Sequence, residues 1–294
     1  MDRAWPEGRF LVGLVGAGID SSLSPPLHER EADNLGLRYL YQLIDIGALG
    51  LPVEATGELL WQARRMGFRG LNITHPCKQV AVGHLDRLSP DAAAIGAVNT
   101  VVWSDGTAVG YNTDWSGFTR SFERGLPGAS VERVVLLGAG GAGSAVAHAV
   151  LWLGADRLTV VDADAGRAAR LVELLAGRFG VDRVGGGGPD LLEESLRAAD
   201  GLVNATPVGM VGHPGIPLPL ELLHPELWVA DVVYRPLETE LLAHARRLGC
   251  RTLGGGGMVV FQAAEAFRLF AGVAPDPERM LRHFESLTRV DARP

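Results

Sequence analysis

Residues 133–162, RVVLLGAGGAGSAVAHAVLWLGADRLTVVD, limit the folds open to this chain more than any other stretch. Val134 to Leu137 form a short apolar run, as expected of a strand buried on both faces. Gly138-Ala139-Gly140-Gly141-Ala142-Gly143 follows, with glycines at 138, 140 and 143 in G-x-G-x-x-G spacing. Ser144 to Leu153 has the alanine content and apolar spacing of a helix, and Leu158 to Val161 reads as the next strand, closed by Asp162. In this pattern Gly138 permits a tight turn, Gly140 lets a pyrophosphate approach the backbone, and Gly143 lets helix and strand pack closely. The start of the helix offers N–H groups and a positive dipole end to phosphates. An acid about 20 residues beyond the first glycine accepts hydrogen bonds from a ribose diol and repels a 2′-phosphate. A glycine-rich turn at a packed crossover is the plain alternative. The coincidence of strand, turn, helix, second strand and acid favours a dinucleotide site. Asp162 is followed by Ala163 and Asp164 rather than Arg or Lys, which favours NAD over NADP. Arg167 is the one nearby cation and could lie over the adenine instead.

A chain of 294 residues, 47% of them hydrophobic, can bury two cores, so two domains are expected. The net charge is −7 and no basic run is present, which argues against nucleic acid as a partner. The opening MDRAWPEGRF has no apolar leader region, and no apolar run approaches the ~18 residues of a membrane span. Cys77 and Cys250 give no disulfide framework, so a reducing cytoplasm is the expected location.

Ahead of the glycine turn, Phe10 to Val15 reads as a strand, followed by a loop and the helical segment LHEREADNLG. Ser24 before Pro25 reads as an N-cap with proline at N1, and Ser22 and Ser24 together would also suit a small carboxylate. Leu37 to Ile46 reads as a strand, Thr56 to Met66 as a helix closed by Gly67, and Leu71 to Thr74 as a short strand. Lys78 opens a segment, KQVAVGHL, read as helical. Most loop lysines are solvated, but this one follows a strand end, a proline and a cysteine in a charge-poor stretch, which suits a working amine. His75 and Cys77 have no further ligand at useful spacing, so no metal is expected. Residues 101–103 read as a strand turning at Asp105-Gly106. Asn99 and Asn112 read as turn formers, and Asp114 as a helix N-cap or a working carboxylate.

Beyond the glycine turn, helices are expected at 168–179 and 191–199, and strands at 201–205, 227–234 and 250–253. The glycine runs 185–188 and 254–257 read as loops, and Gln262 as part of a polar helix face. This order suits a doubly wound parallel sheet. Two C-terminal helices follow, one from Met258 and one at about 277–287, and the first of them is able to return to the N-terminal half.

The chain resembles the shikimate/quinate dehydrogenase family along essentially its whole length. The resemblance lies in SSLSP (21–25), NITHPCK (72–78), GAVNT (96–100), GYNTDWSGF (110–118), GAGGAG (138–143), NATPVGM (204–210), DVVYRPLETELL (231–242) and GGGMVVFQAA (255–264). It implies an α/β protein with a cleft between two domains. One is a substrate-binding catalytic domain with a mixed sheet, residues 1–113 completed by helices in 259–294. The other is a Rossmann-type NAD-binding domain, residues 114–258. It implies reversible oxidation of a ring hydroxyl on a cyclohexane or cyclohexene carboxylate, with Lys78 and Asp114 catalytic. Ser22, Ser24, Thr74, Asn99, Tyr234 and Gln262 would contact substrate, together with Lys78 and Asp114. The cofactor positions would be Gly138, Gly140, Gly141, Ala142, Gly143, Asp162, Arg167, Thr206, Pro207, Val208, Gly209, Met210, Val232, Gly255 and Met258. A homodimer is left open.

The chemistry suits these residue types. Hydride leaves the carbinol carbon only as its hydroxyl proton is removed, and a partly desolvated lysine can take that proton. Paired serines suit a carboxylate, and Asn99, Thr74 and Gln262 suit ring hydroxyls. The NADP-linked biosynthetic pattern ends its second nucleotide strand in Asn-Arg-Thr, where this chain has Asp162-Ala163-Asp164. Its lysine motif usually has an apolar residue where this chain has His75. The expected activity is therefore NAD-linked interconversion of quinate and shikimate with their 3-dehydro ketones. The alternatives are an NADP-linked shikimate dehydrogenase of aromatic biosynthesis, an aminoshikimate-type relative, or a non-catalytic dinucleotide sensor.

Overall fold

Apolar residues in this chain alternate across strands and recur along helices so that each sheet is covered on both faces. The computed structural model describes residues 8–291, with side chains through Arg289. Residues 1–7, which include most of the stretch expected to lack a leader, lie outside the described residues. The chain forms two units, one built from the described residues up to Thr113 together with those from Val260 onward, the other from Asp114–Val259.

The first unit begins with β1 (Arg9–Gly16), α1 (Ser24–Asn34), β2 (Arg38–Asp45), α2 (Thr56–Met66) and β3 (Gly70–Ile73). It continues through β4 (Arg87–Leu88), α3 (Pro90–Ile95), β5 (Thr100–Ser104) and β6 (Thr107–Tyr111). These strands make a six-stranded sheet in the order β2-β1-β3-β5-β6-β4. The pairing is mixed: β2, β1 and β3 are parallel, and β5 is antiparallel to β3 and β6. The hairpin between β5 and β6 turns at Asp105 and Gly106, both at positive φ, as a tight two-residue turn requires. Gly67 closes α2 in the left-handed region at φ 95°.

Two local readings need correction, and one short strand was not read. KQVAVGHL is not α-helical; Val80–His84 form a short 3₁₀ segment, consistent with two valines and a glycine that weaken an α-helix. Ser24 is not the N-cap of α1. Leu23 holds that position, and the Ser22 hydroxyl accepts the Ser24 N–H at 3.2 Å. The two-residue strand β4 pairs with β6 and was too short to show any periodicity.

The second unit runs α4 (Asp114–Gly125), β7 (Arg133–Leu137), α5 (Gly141–Trp152), β8 (Arg157–Val161), α6 (Ala165–Phe179), β9 (Val184–Gly187) and α7 (Leu192–Arg197). It closes with β10 (Gly201–Asn204), β11 (Trp228–Asp231), α8 (Glu240–Leu248) and β12 (Arg251–Leu253). All six strands are parallel, in the order β12-β11-β10-β7-β8-β9. That is the doubly wound arrangement, with the order reversing at β7. Val134 and Leu136 face one core with Val146, Val150, Leu158 and Leu175; Val135 and Leu137 face the other with Leu196, Leu202, Val229 and Leu241. The run 185–188, expected as a loop, contributes most of edge strand β9. A Cβ on Gly186 would overlap the Val160 carbonyl oxygen, so the lack of side chains permits this close pairing. The strand expected at 227–234 ends at Asp231, and Gly256 and Gly257, expected in a loop, belong to the next helix.

That helix is α9 (Gly256–Ala271), and α10 (Pro277–Asp291) ends the described chain. In the first unit the Phe270 ring covers Gly70 of β3, where a Cβ would collide with it. The carboxylate of Glu31, buried in α1, accepts a forked pair of bonds from Arg279 of α10 at 2.8 and 2.5 Å, and the Asp276 N–H at 2.7 Å. Glu31→Ala strands the Arg279 fork and the Asp276 N–H and is expected to cost about 3 kcal/mol. A urea titration reads this as a lower midpoint at nearly constant slope; an unchanged midpoint would show that the fork contributes nothing. Among the described residues no helix is long and apolar enough to cross a membrane.

Candidate active site

In the second unit the glycine turn sits at the carboxyl end of β7, where a doubly wound sheet binds its ligands. Gly138 has φ +97°, and its N–H donates to the Val161 carbonyl at 2.8 Å. A Cβ on Gly143 would overlap the Gly138 carbonyl, so α5 can approach β7 only without a side chain there. A Cβ on Gly140, by contrast, would meet nothing within 4 Å. The turn therefore presents open space at the position where a pyrophosphate would approach. Gly140 is the N-cap of α5 and supplies no side-chain cap, which leaves the first-turn N–H groups, from Gly141 and Ala142 onward, aimed at that space. These residues fit a dinucleotide phosphate.

Asp162 lies buried at the end of β8 beside this turn. Its Oδ2 accepts the Ala139 N–H at 2.8 Å and its Oδ1 accepts the Asp164 N–H at 2.9 Å. An ionised carboxylate has about four acceptor positions, so two of them stay open to hydroxyl donors. The guanidinium of Arg167 stands 3.8 Å from Oδ2 and is half exposed. The N-cap of α6 is Asp164, which accepts the Arg167 N–H at 3.1 Å.

The segment Thr206–Met210 follows β10. It is held by Asn204, which the sequence reading passed over. The Asn204 Oδ1 accepts the Thr206 N–H and hydroxyl at 3.0 and 2.7 Å, and its Nδ2 donates to the Val208 carbonyl at 3.1 Å. Gly209, at φ +100°, donates to the His213 carbonyl at 2.7 Å, and Met210 donates to the Pro207 carbonyl at 3.1 Å. Val232 follows β11, and a Cβ on Gly255 would collide with its carbonyl oxygen. Met258 is buried in the core of this unit, next to Val232 and Gly255 along one small cavity. Tyr234 is half-buried; burial pushes its phenol up, while Arg235 pulls the other way. Asp114 is buried and is the first residue of α4 rather than a cap preceding it.

Asp231, also missed, ends β11 and is buried. Its Oδ1 accepts from Asn204 Nδ2 and the Val233 N–H, both at 3.0 Å, and its Oδ2 accepts the Thr239 hydroxyl at 2.7 Å. Burial pushes its carboxyl up to about 6 against the pull of these three donors. In the sequence it sits inside the apolar run LWVADVVY, with no stop signal to set the strand end there.

In the first unit the carboxyl ends of β1, β3 and β6 gather with the start of β5. The Thr74 N–H donates to the Val15 carbonyl at 2.9 Å, Ala17 to His75 at 3.0 Å, and Ile73 to Asn99 at 2.8 Å. This places the serine loop after β1 beside Thr74 and the turn carrying Lys78. Lys78 is partly buried, and its carbonyl is fixed by the Val98 N–H at 3.0 Å. Cys77 is wholly buried and packs in the core. Asp45 shapes the serine loop by accepting the N–H groups of Ile19, Gly18, Gly47 and Ala48; the Ile19 bond is the largest influence holding its carboxyl below the usual range.

Behind these residues runs a continuous polar chain. The Tyr41 hydroxyl lies against Ser24 and donates to Asn72 Oδ1 at 2.8 Å. Asn72 Nδ2 donates to the Thr100 hydroxyl at 3.0 Å, which donates to Asn99 Oδ1 at 3.0 Å. The same Asn99 oxygen accepts the Thr113 N–H at 2.7 Å, and Asn99 Nδ2 reaches Gln262 Oε1 of α9 at 3.4 Å. Ser24, Asn99 and Gln262, far apart in the sequence, thus belong to one hydrogen-bonded system. Asn112 donates to the Ala97 carbonyl at 3.0 Å. Burial raises the phenol of Tyr41, so it remains a donor near neutral pH.

An α/β protein with a doubly wound parallel sheet, a glycine turn and an acid-ended second strand is of the dinucleotide-dependent oxidoreductase class. The sequence profile of the shikimate dehydrogenase substrate binding domain matches residues 14–101. A shikimate dehydrogenase (NADP(+)) of Streptomyces avermitilis is 64% identical over 97% of this chain and 98% of its own length. A quinate/shikimate dehydrogenase (NAD(+)) of Corynebacterium efficiens is 48% identical over 95% of this chain and 98% of its own. The solved quinate dehydrogenase from Corynebacterium glutamicum in complex with NAD superposes with a TM-score of 0.88 at 46% identity, covering 95% of this chain and 99% of that one. The chain belongs to the shikimate/quinate dehydrogenase family.

Proposed function

We propose that this protein is an NAD-linked dehydrogenase that interconverts quinate and shikimate with their 3-dehydro ketones. The observation that carries the cofactor reading is Asp162, a buried carboxylate beside the glycine turn with acceptor capacity for a ribose diol and a charge that opposes a 2′-phosphate. A dinucleotide held at the glycine turn and Asp162 would supply the nicotinamide that accepts or gives the hydride of the carbinol carbon. Lys78 takes the hydroxyl proton during oxidation and returns it during reduction, and Asp114 acts with it as the orienting carboxylate. Ser22 and Ser24 hold the substrate carboxylate, and Thr74, Asn99, Gln262 and Tyr234 hold ring hydroxyls. The polar chain through Tyr41 and Asn72 presets Ser24, Asn99 and Gln262 before substrate arrives. The second reading, an NADP-linked shikimate dehydrogenase of aromatic biosynthesis, is favoured by one observation: relatives at 64, 56 and 55% identity carry the name shikimate dehydrogenase (NADP(+)).

Steady-state assays with each dinucleotide against quinate and shikimate separate the two readings. The expected result is a kcat/KM at least tenfold higher with NAD than with NADP, and turnover of both acids. A higher kcat/KM with NADP would establish the second reading instead.

A further inference from the structure

We infer that Asp231 is a positioning residue for the dinucleotide: with Asn204 and Thr239 it clasps the loop after β10 to the segment after β11. This rests on the reading of the second unit as a dinucleotide site. The two segments leave the carboxyl ends of neighbouring parallel strands, the side on which such sheets bind ligands. Neither segment is regular structure, so neither holds its shape through a helix or sheet ladder. The Asn204 side chain fixes Thr206 and Val208 in the first segment, and the Asp231 side chain fixes Val233 and Thr239 in the second. The bond of 3.0 Å between Asn204 Nδ2 and Asp231 Oδ1 joins the halves. A backbone bond from Val211 N–H to the Arg235 carbonyl at 3.0 Å ties the segments again further out.

All of these side-chain groups are buried or half-buried, and every oxygen of Asn204 and Asp231 has a donor. Such a network has one low-energy arrangement, because a partly satisfied alternative leaves polar atoms buried and unpaired. Asp231 reaches the ligand only through others: through Val232 and Val233 on its own strand end, and through Asn204 to Thr206 and Val208. Gly255 packs against the same Val232 carbonyl, so the clasp sets the height of that backbone above the glycine run as well. In the native chain both carboxylate oxygens accept, Oδ1 from Asn204 and Val233 and Oδ2 from Thr239. The Thr239 hydroxyl also accepts the Leu242 N–H at 3.3 Å as the cap of α8, which anchors the clasp to a helix.

The test separates dinucleotide from substrate parameters in the full-length protein. Fluorescence titration of the wild type with NADH and NADPH comes first; if neither binds, the functional reading and this inference both fail. In Asp231→Ala the KM for the preferred dinucleotide is expected to rise tenfold or more, with the KM for the ring carboxylate within twofold of wild type. Asp231→Asn, whose amide can still accept from Asn204 and Val233 and donate to Thr239, should return the dinucleotide KM to within about threefold. An unchanged dinucleotide KM in Asp231→Ala, an equal rise in both KM values, or an Asn variant as impaired as Ala would overturn the inference. If Asp231→Ala does not accumulate as folded protein, Thr239→Val decides: the same one-sided rise, about threefold, is expected, and equal KM values would overturn it.

Discussion

Replacing Lys78 with alanine should lower kcat about a thousandfold and leave dinucleotide affinity within a factor of two. A general acid–base group contributes about 10² to 10⁴ in rate, and a thousandfold loss corresponds to about 4 kcal/mol of transition-state stabilisation. Lys78 suits that task because the turn after β3 is rigid around it: its carbonyl is bonded to Val98 and the adjacent Cys77 is wholly buried. The groups proposed to hold the dinucleotide all belong to Asp114–Val259, whereas Lys78 belongs to the other unit. The bonds that hold the glycine turn and Asp162 come from residues of Asp114–Val259 itself, so loss of the Lys78 side chain removes none of these. Lys78→Arg sharpens the result. A guanidinium keeps the positive charge but does not give up its proton near neutral pH. If Lys78 moves a proton, the arginine variant should be nearly as slow as the alanine variant. If it only attracts the substrate carboxylate, arginine should restore turnover, and that outcome would remove Lys78 from the chemistry.

The fold was legible where the sequence carries a period or a stop signal. Thr56–Met66 with Gly67 after it, and the two strands around the glycine turn, were read almost to the residue because apolar spacing and glycine punctuation agree there, while α5 starts at Gly141, ahead of the expected Ser144. Edge strand β9 was not legible, since three of its four residues are glycine and show no alternation; its strand character comes from pairing with β8. KQVAVGHL misled because its apolar residues suit a helix while its valines and glycine weaken one. The candidate site shows the same division. Residues with a motif of their own, such as Lys78, Asp162 and the glycines, could be named from sequence. Tyr41, Asn72, Asn204 and Asp231 could not, because each also depends on a bond to a partner 27 or more positions away, brought close only by strand pairing. Asp45 is a further case: its role in shaping the serine loop depends on β1 and β2 lying side by side.

The second large effect concerns cofactor choice. Asp162→Ser combined with Ala163→Arg should lower the NAD-to-NADP ratio of kcat/KM by about 10² or more. Two changes act together. Serine removes the carboxylate that opposes a 2′-phosphate, and arginine adds a planar cation that can bind one through paired N–H donors. Each factor of ten is about 1.4 kcal/mol, and a charge-assisted hydrogen bond is worth about 1.5–3 kcal/mol, so a shift of 10² lies within reach of the pair. Asp162 has a second task, however, since it also accepts the Ala139 N–H of the glycine turn and the Asp164 N–H. Asp162→Asn distinguishes the tasks. Its single side-chain oxygen cannot serve both donors, so the turn loosens while the charge disappears, and no phosphate partner is gained. That variant should lose efficiency with both dinucleotides, NAD more than NADP, whereas only the double variant should gain absolute efficiency with NADP. Equal losses with both dinucleotides in Asp162→Asn, with no change of ratio in the double variant, would leave Asp162 as a brace for the glycine turn. The preference for one dinucleotide would then have to arise elsewhere, with Arg167, standing 3.8 Å from that carboxylate, the next side chain to change.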